Sequence, residues 1–197
     1  MLKIIDDIKA IYRNDPAAKN IEFILYPSFQ AIFFHRIIHV LWNLGIPFFP
    51  RLFSQISRFF TGLEIHPGAK IGRGFFVDHG AGVVIGETTI IGERVVLFHN
   101  VTLGGTGKHH GKRHPTIGNN VLIGTGATLL GPITVGDNVK IGAGSFIFMR
   151  DVPSNCTVAG VPAHIVKRDG QRVDEPLPDT KIARSELENS TYDEPHN

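Results

Sequence analysis

Five histidines, His79, His99, His109, His110 and His114, fall in two short stretches of the middle of the chain, with Asp78 directly before the first and Arg113 directly before the last. A neutral imidazole takes up a proton near neutral pH, so it can remove one from a hydroxyl group. Such a base works best when a carboxylate holds its other ring nitrogen, and Glu64 and Asp78 are the nearby candidates. For any single histidine, capping a turn is a serious rival reading. The pairing of His79 and His114 with flanking Asp78 and Arg113 favours chemistry. Histidines converging from neighbouring turns of chain could also bind zinc. No cysteine ligand stands near them, and no metal is expected.

The second feature with chemical content is GGTGKHHGKRHP, between Leu103 and Thr116. Its opening resembles a phosphate loop, but that motif needs Ser or Thr after the lysine and a strand-to-helix junction. Here His109 follows Lys108. Gly104, Gly105 and Gly107 are better suited to presenting backbone N–H groups to an extended ligand or a developing oxyanion. Lys108, Lys112 and Arg113 add positive charge for an anionic group. A plain surface loop is the competing reading, and the density of glycine and cations weighs against it.

The elements that must hold these residues are legible from a period of six. Branched aliphatics recur at Ile65, Ile71, Val77 and Val83, then Ile85, Ile91, Leu97 and Leu103, then Ile117, Ile123, Leu129, Val135, Ile141 and Ile147. Six is neither the helical 3.6 nor the strand period of 2. It marks a parallel β-helix, in which each hexapeptide is one flat face and three faces make a coil. One aliphatic per face points inward and the stacked coils share an apolar column. The count slips by two between Val83 and Ile85, and it breaks at 104–116, which should be extruded as a loop. Loops on a rigid scaffold are where function concentrates. Eighteen residues per coil plus the slip of two puts His99 above His79, so two histidines should share one edge.

The remaining chain divides simply. Residues 1–62 read as helical, with Ile4, Ile5, Ile8 and Ile11 on one face and Phe29, Phe33, Ile37 and Leu41 on another. Asp15-Pro16 is a stop, and Pro16 can open the following helix. The β-helix should span 63–166, and 167–197 reads as a polar tail with too little apolar content to order itself. Outward-facing Val84, Val96, Leu122, Leu130 and Phe146 point to burial against identical copies, and hence to a homotrimer with sites in the clefts between copies. A net charge of +2 gives no reason to expect nucleic acid. The apolar stretch 21–60 is cut by Arg36 and Arg51 into pieces shorter than the ~18 residues a membrane span needs. One cysteine, Cys156, and an N-terminus without a signal-peptide pattern point to a cytoplasmic protein with no membrane partner.

The segments IHPGAKIGRGFFVDHGAGVVIGET, VTLGGTGKHHGKRHPTIG, IGAGS and AGVPAHIV, with NDPAA and HRIIHVLW upstream, closely resemble the serine O-acetyltransferases among the hexapeptide acyltransferases. The resemblance covers about residues 5–167. It implies a mainly β, left-handed parallel β-helix with an N-terminal α-helical extension. It implies acetyl-CoA as co-substrate and L-serine as acceptor, giving O-acetyl-L-serine on the route to cysteine, with L-cysteine as a feedback ligand. Carried over residue by residue, His79 resembles the general base and Glu64 its carboxylate partner, where the family more often has Asp. His114 resembles a second catalytic histidine. Asp15 and Asp78 fall where the family binds the serine ammonium, and Arg113 where it holds the carboxylate. Gly105, Thr106, Thr125, Lys140 and Ala143 fall in the CoA-binding segments. Longer members join two trimers through a larger helical domain, so a dimer of trimers is the further possibility the resemblance raises.

Three other readings compete. A hexapeptide enzyme acetylating a saccharide hydroxyl would not need the two charge types that Asp15, Asp78 and Arg113 provide for a zwitterion. A metal-dependent β-helical hydratase would carry zinc. A non-catalytic scaffold trimer would be indifferent to loss of His79.

Overall fold

In the computed structural model, which describes residues 2–107 and 111–180, each hexapeptide is one short strand and one corner. The first coil comprises β1 (Glu64–Ile65), β2 (Lys70–Ile71) and β3 (Phe76–Val77). The second comprises β4 (Val84–Ile85), β5 (Ile90–Ile91) and β6 (Val96–Leu97), and the third β7 (Thr102–Gly104), β8 (Thr116–Ile117) and β9 (Leu122–Ile123). The fourth is β10 (Thr128–Leu130), β11 (Thr134–Val135) and β12 (Lys140–Ile141), followed by β13 (Phe146–Phe148) and β14 (Cys156–Gly160). The parallel strands stack into three sheets: β1-β4-β7-β10-β13 on the first face, β2-β5-β8-β11 on the second, and β3-β6-β9-β12-β14 on the third.

Strand register locates the two insertions. Ile85 lies on Leu103 and Ile117 on Val135, a regular step of 18 residues. Ile65 lies on Ile85, which is two residues more, and the excess sits at the corner holding Asp78–Gly82. Ile91 lies on Ile117, eight residues more than the regular step, and the excess sits at the corner holding 105–115. All fourteen aliphatics of the six-residue series are buried, with at most 6% of their surface exposed. Each contributes on the order of 1.5–3 kcal/mol by leaving water, which is why the prism tolerates polar corners.

Helices close one end. α1 (Leu2–Asn14), a 3₁₀ turn (Ile21–Leu25), α2 (Pro27–Asn43) and α3 (Phe49–Thr61) precede the first coil. Gly62, at φ 74°, takes the left-handed position that ends α3 and feeds Leu63 into the core. Pro27, not Pro16, opens a helix. The buried face of α2 is Ser28, Ala31, Ile32, His35 and Ile38, whereas Phe33 and Ile37 of the expected stripe are exposed. Small Ser28 and Ala31 let the α2 backbone approach the coil, which larger rings would hold off. Asp7 of α1 and Arg36 of α2 form a buried ion pair, with Arg36 also donating to the Ile71 and Gly72 carbonyls and Asp7 accepting from the Phe75 N–H. Phe76 and Val96 on the third face pack against Ala10, Ile11 and Phe23. Val96 is therefore covered by this chain's own helices and not by a neighbour.

The other end departs from expectation. β15 (Ala163–Arg168) pairs antiparallel with β14, and β16 (Gln171–Pro176) antiparallel with β15, extending the third sheet. Residues 171–176 are thus a strand and not part of a disordered tail. The reason is a pair of isolated apolar anchors: Val173 packs against the core and Leu177 is buried in it, while Arg168 pairs with Glu175 across the hairpin. Cys156 and Ile165 are buried in the same closing layer. Among the described residues, no helix is long and apolar enough to cross a membrane.

Candidate active site

The candidate residues lie on two different edges of the prism. The edge between the third and first faces carries His79, His99, Thr125 and Ala143, one coil above another, as the pairing of Val77 with Leu97, Leu97 with Ile123 and Ile123 with Ile141 requires. The His79 and His99 rings meet edge to face at 6.2 Å, so the expected alignment of the two histidines holds. The Thr125 hydroxyl reaches His99 Nδ1 at 3.5 Å. His79 sits at φ 61°, in the left-handed region, where the two inserted residues let the corner swing its side chain outward. Its side chain is 78% exposed, and its nearest carboxylate is Asp78, 3.8 Å away from Nε2.

Two candidates approach this edge from elsewhere in the chain. Asp15, just after α1, accepts a hydrogen bond from the Ala17 N–H at 2.8 Å. The nearby Asp15 carboxylate, then burial and the charges of Glu22 and Asp78, raise the Tyr26 pKa, so Asp15, Tyr26 and Asp78 share one electrostatic neighbourhood. Glu64 is not brought to His79. Its carboxylate is held by Arg58 at 3.0 Å and Arg51 at 3.6 Å, both from α3. Lys140 is exposed on the third face, in register between Leu122 and Thr157.

The edge between the first and second faces carries the rest. Arg113 and His114 end the extruded segment, and a step of 26 residues sets them on Glu87 and Thr88 of the coil below. Arg113 forms an ion pair with Glu87. His114 is buried, and its Nδ1 accepts from the Thr88 N–H at 3.2 Å and faces the Thr88 hydroxyl at 2.9 Å. Burial, then the Arg113 and Lys112 charges, push the His114 pKa down to about 4. An N–H can only donate, so the proton of the neutral ring sits on Nε2. That side of the ring lies over Gly86 and Gly105: a Cβ on Gly86 would stand 2.1 Å from Nε2, and one on Gly105 3.4 Å away. Lys112 donates to the Thr88 and Pro115 carbonyls, and burial lowers its pKa to about 8. Thr106 is exposed, with its hydroxyl 3.9 Å from Met149 Sδ. Lys108, His109 and His110 lie outside the described residues.

A cavity of about 330 Å³ opens beside this second edge, lined by Trp42, Gly68, Lys70, Glu87, Thr88, Thr89, Ile90 and Lys112. Sequence reasoning missed Glu87, Thr88, Gly86 and Tyr26. Coil arithmetic would have found the first two beneath Arg113 and His114, had the loop length been assigned. Among the described residues, no group of three His, Cys, Asp or Glu side chains is placed to hold a metal ion.

The arrangement supplies an exposed imidazole, a buried neutral imidazole with a free N–H, carboxylates for a cation and a guanidinium for an anion. Comparison with known proteins bears on which reaction these serve. Residues 114–148 match the family described as bacterial transferase hexapeptide (six repeats). The chain is 54% identical over 182 residues to the serine acetyltransferase of Synechococcus elongatus, covering 91% of this chain and 74% of that one. The serine acetyltransferase structure from Vibrio cholerae superposes with a TM-score of 0.82 at 41% identity, covering 89% of this chain and 67% of that one. That of Neisseria gonorrhoeae in complex with serine gives 0.81 at 42%, covering 84% and 68%. With 54% identity over 182 residues that cover 91% of it, the chain belongs to the serine acetyltransferase family of hexapeptide-repeat transferases.

Proposed function

We propose that this protein transfers the acetyl group of acetyl-CoA to the hydroxyl of L-serine, releasing O-acetyl-L-serine and CoA, at a site made by two copies of the chain. One observation carries the second half of this reading. His79 and His114 stand on opposite borders of the first face, which at ~3.3 Å per residue over about five residues is on the order of 15 Å wide. The hydroxyl and carboxylate of one serine are far closer together than that. One chain offers each half of the site on a different edge, and a cleft between neighbours in a trimer joins the edge of one to the edge of the next. The proposed CoA residues divide the same way, with Thr125 and Ala143 on the His79 edge and Gly105 and Thr106 on the His114 edge.

In that cleft, His79 Nε2 takes the serine hydroxyl proton as the oxygen attacks the thioester carbonyl. The His114 Nε2–H donates to the oxyanion of the tetrahedral intermediate, where a preorganised donor contributes most. Collapse breaks the C–S bond, and the imidazolium of His79 returns its proton to the CoA sulfur. Asp15 and Asp78 receive the serine ammonium, and Arg113 the carboxylate. Glu64 orients His79 once it exchanges its arginine partners. Those partners are about half exposed, and such pairs hold by only ~0–1 kcal/mol. Cys156 is buried in the core and takes no part, so transfer is direct. L-cysteine has the same ammonium and carboxylate and would compete for the same contacts as a feedback ligand. Exposed Ile90, Leu122, Phe146 and Phe148 on the outer faces suit burial between copies in a homotrimer. Acetyl-CoA and an unpaired Cys156 suit the cytoplasm.

A thiol-release assay with acetyl-CoA and a panel of L-serine, other amino acids and saccharides tests the assignment. Turnover confined to L-serine is expected. Transfer to a saccharide with none to serine would overturn the acceptor and leave the acyltransferase class standing.

A further inference from the structure

Every polar group of Thr88 is taken by the three residues that end the extruded segment. Its carbonyl accepts from Lys112 Nζ at 2.6 Å. Its hydroxyl oxygen accepts from the Arg113 N–H at 3.0 Å and the His114 N–H at 3.1 Å. Two N–H groups pointing at that oxygen leave its own proton free to go to His114 Nδ1, 2.9 Å away, and the Thr88 N–H reaches the same nitrogen at 3.2 Å. Two donors on Nδ1 exclude a proton there. The proton of the neutral ring is forced onto Nε2, which has no hydrogen-bond partner among the described residues and lies over glycines 86 and 105, where no side chain blocks it.

We infer that Thr88 is a positioning residue for acetyl transfer, holding His114 as the Nε2–H tautomer so that this N–H, and not a bare nitrogen lone pair, faces the reacting oxygen. The inference rests on the proposed acetyl transfer for its catalytic meaning, but not for its geometry. With Nδ1 protonated instead, Nε2 would present a lone pair to a developing negative charge and repel it. The low His114 pKa agrees with this, because a second proton on the ring would have to enter between Nδ1 and the Thr88 N–H.

The test combines ¹⁵N NMR of the histidine rings with kinetics on the full chain. His114 in the wild-type protein at about pH 7.5 is expected to carry its proton on Nε2. Thr88→Val keeps the β-branch and removes the hydroxyl. With the acceptor that anchors the Arg113 and His114 N–H groups gone, the ring is no longer held against the Thr88 N–H, so the variant should populate the Nδ1–H form and lower kcat about tenfold or more, while KM for acetyl-CoA stays within about twofold. Thr88→Ser should restore both the tautomer and kcat. A wild-type His114 protonated on Nδ1 overturns the inference whether or not any variant folds. A Thr88→Val enzyme that loses kcat with an unchanged tautomer also overturns it, since Thr88 would then only anchor the segment. A wild-type protein with the Nε2–H tautomer but no serine acetylation would instead remove the proposed reaction and leave the geometric assignment intact.

Discussion

The His79 and His99 rings pack edge to face, their planes at 79°, although twenty residues separate them along the chain. Twenty is the length of that one enlarged coil, so the insertion that turns His79 outward also sets it against the ring of the coil above. The base proposed for the reaction is therefore braced on one side by the next coil and open to whatever docks against that edge.

If the site is shared, two inactive variants should rescue each other. His79→Ala and His114→Ala are each expected to lower kcat by about 10²–10⁴. In mixed trimers formed by joint refolding at equal ratio, any trimer containing both variants has one cleft with both histidines intact. About a quarter of wild-type activity should then return, as three-fold symmetry dictates. No recovery, with mixed trimers verified by mass, would place both histidines in separate roles and sink the shared cleft.

Glu64 tests the orienting role. Glu64→Gln should reduce kcat more than it raises KM for serine. Unfolding free energy should stay within about 1 kcal/mol, because its arginine partners are exposed. A rise in serine KM alone would make Glu64 a substrate contact.

Gly86 has no room for a side chain. A Cβ there would fall 1.9 Å from His114 Cδ2, and the ring cannot retreat while Thr88 holds Nδ1. Gly86→Ala should cost about 1–3 kcal/mol of stability from overpacking. The surviving folded enzyme should lose at least about tenfold in kcat. Wild-type kinetics for this variant would mean the His114 ring is dispensable.

His35 makes stability depend on pH. Its Nε2–H donates to the Ala69 carbonyl at 3.2 Å. Burial, then the charges of His39 and Arg36, push its pKa from 6.5 down to about 3. The unfolded chain binds a proton below about pH 6.5 that the folded chain refuses, so stability rises with pH in this window. The contribution is complete above pH 6.5 and lost as pH falls from there toward 3, at about 1.4 kcal/mol per unit. His35→Gln can still donate to Ala69 and does not titrate. Urea unfolding of the variant should show less loss between pH 7.5 and 5.5 than wild type, and an equal loss would show that His35 does not govern the effect.

Asp7 joins the helices to the first coil. Removing its carboxylate by Asp7→Ala leaves the Arg36 guanidinium, only 11% exposed, without its counter-charge. A loss of about 3–5 kcal/mol is expected, read from denaturant midpoints. A loss below about 1 kcal/mol would mean that the Ile71 and Gly72 carbonyls alone satisfy Arg36.

The sequence by itself determined the prism, because one aliphatic side chain per six residues has a single efficient way of leaving water, and each of those fourteen positions is buried. It also determined where the prism is interrupted, since a slip in an otherwise constant period needs no structure to be seen. His79 and His99 were placed together by that arithmetic alone. What it left open were contacts that depend on how far an insertion displaces the register. Glu87 and Thr88 meet Arg113 and His114 only because the loop adds eight residues to a coil, a length that polarity does not encode. The buried face of α2 is not the bulky one that spacing suggests, because close packing selects Ser28 and Ala31. Strand β16 was missed because two apolar anchors, Val173 and Leu177, suffice when an open sheet edge waits for them. Only the tertiary structure decided that the two histidines proposed for catalysis lie on different edges of one chain, since periodicity places residues along the solenoid but says nothing of which edges a small substrate can bridge.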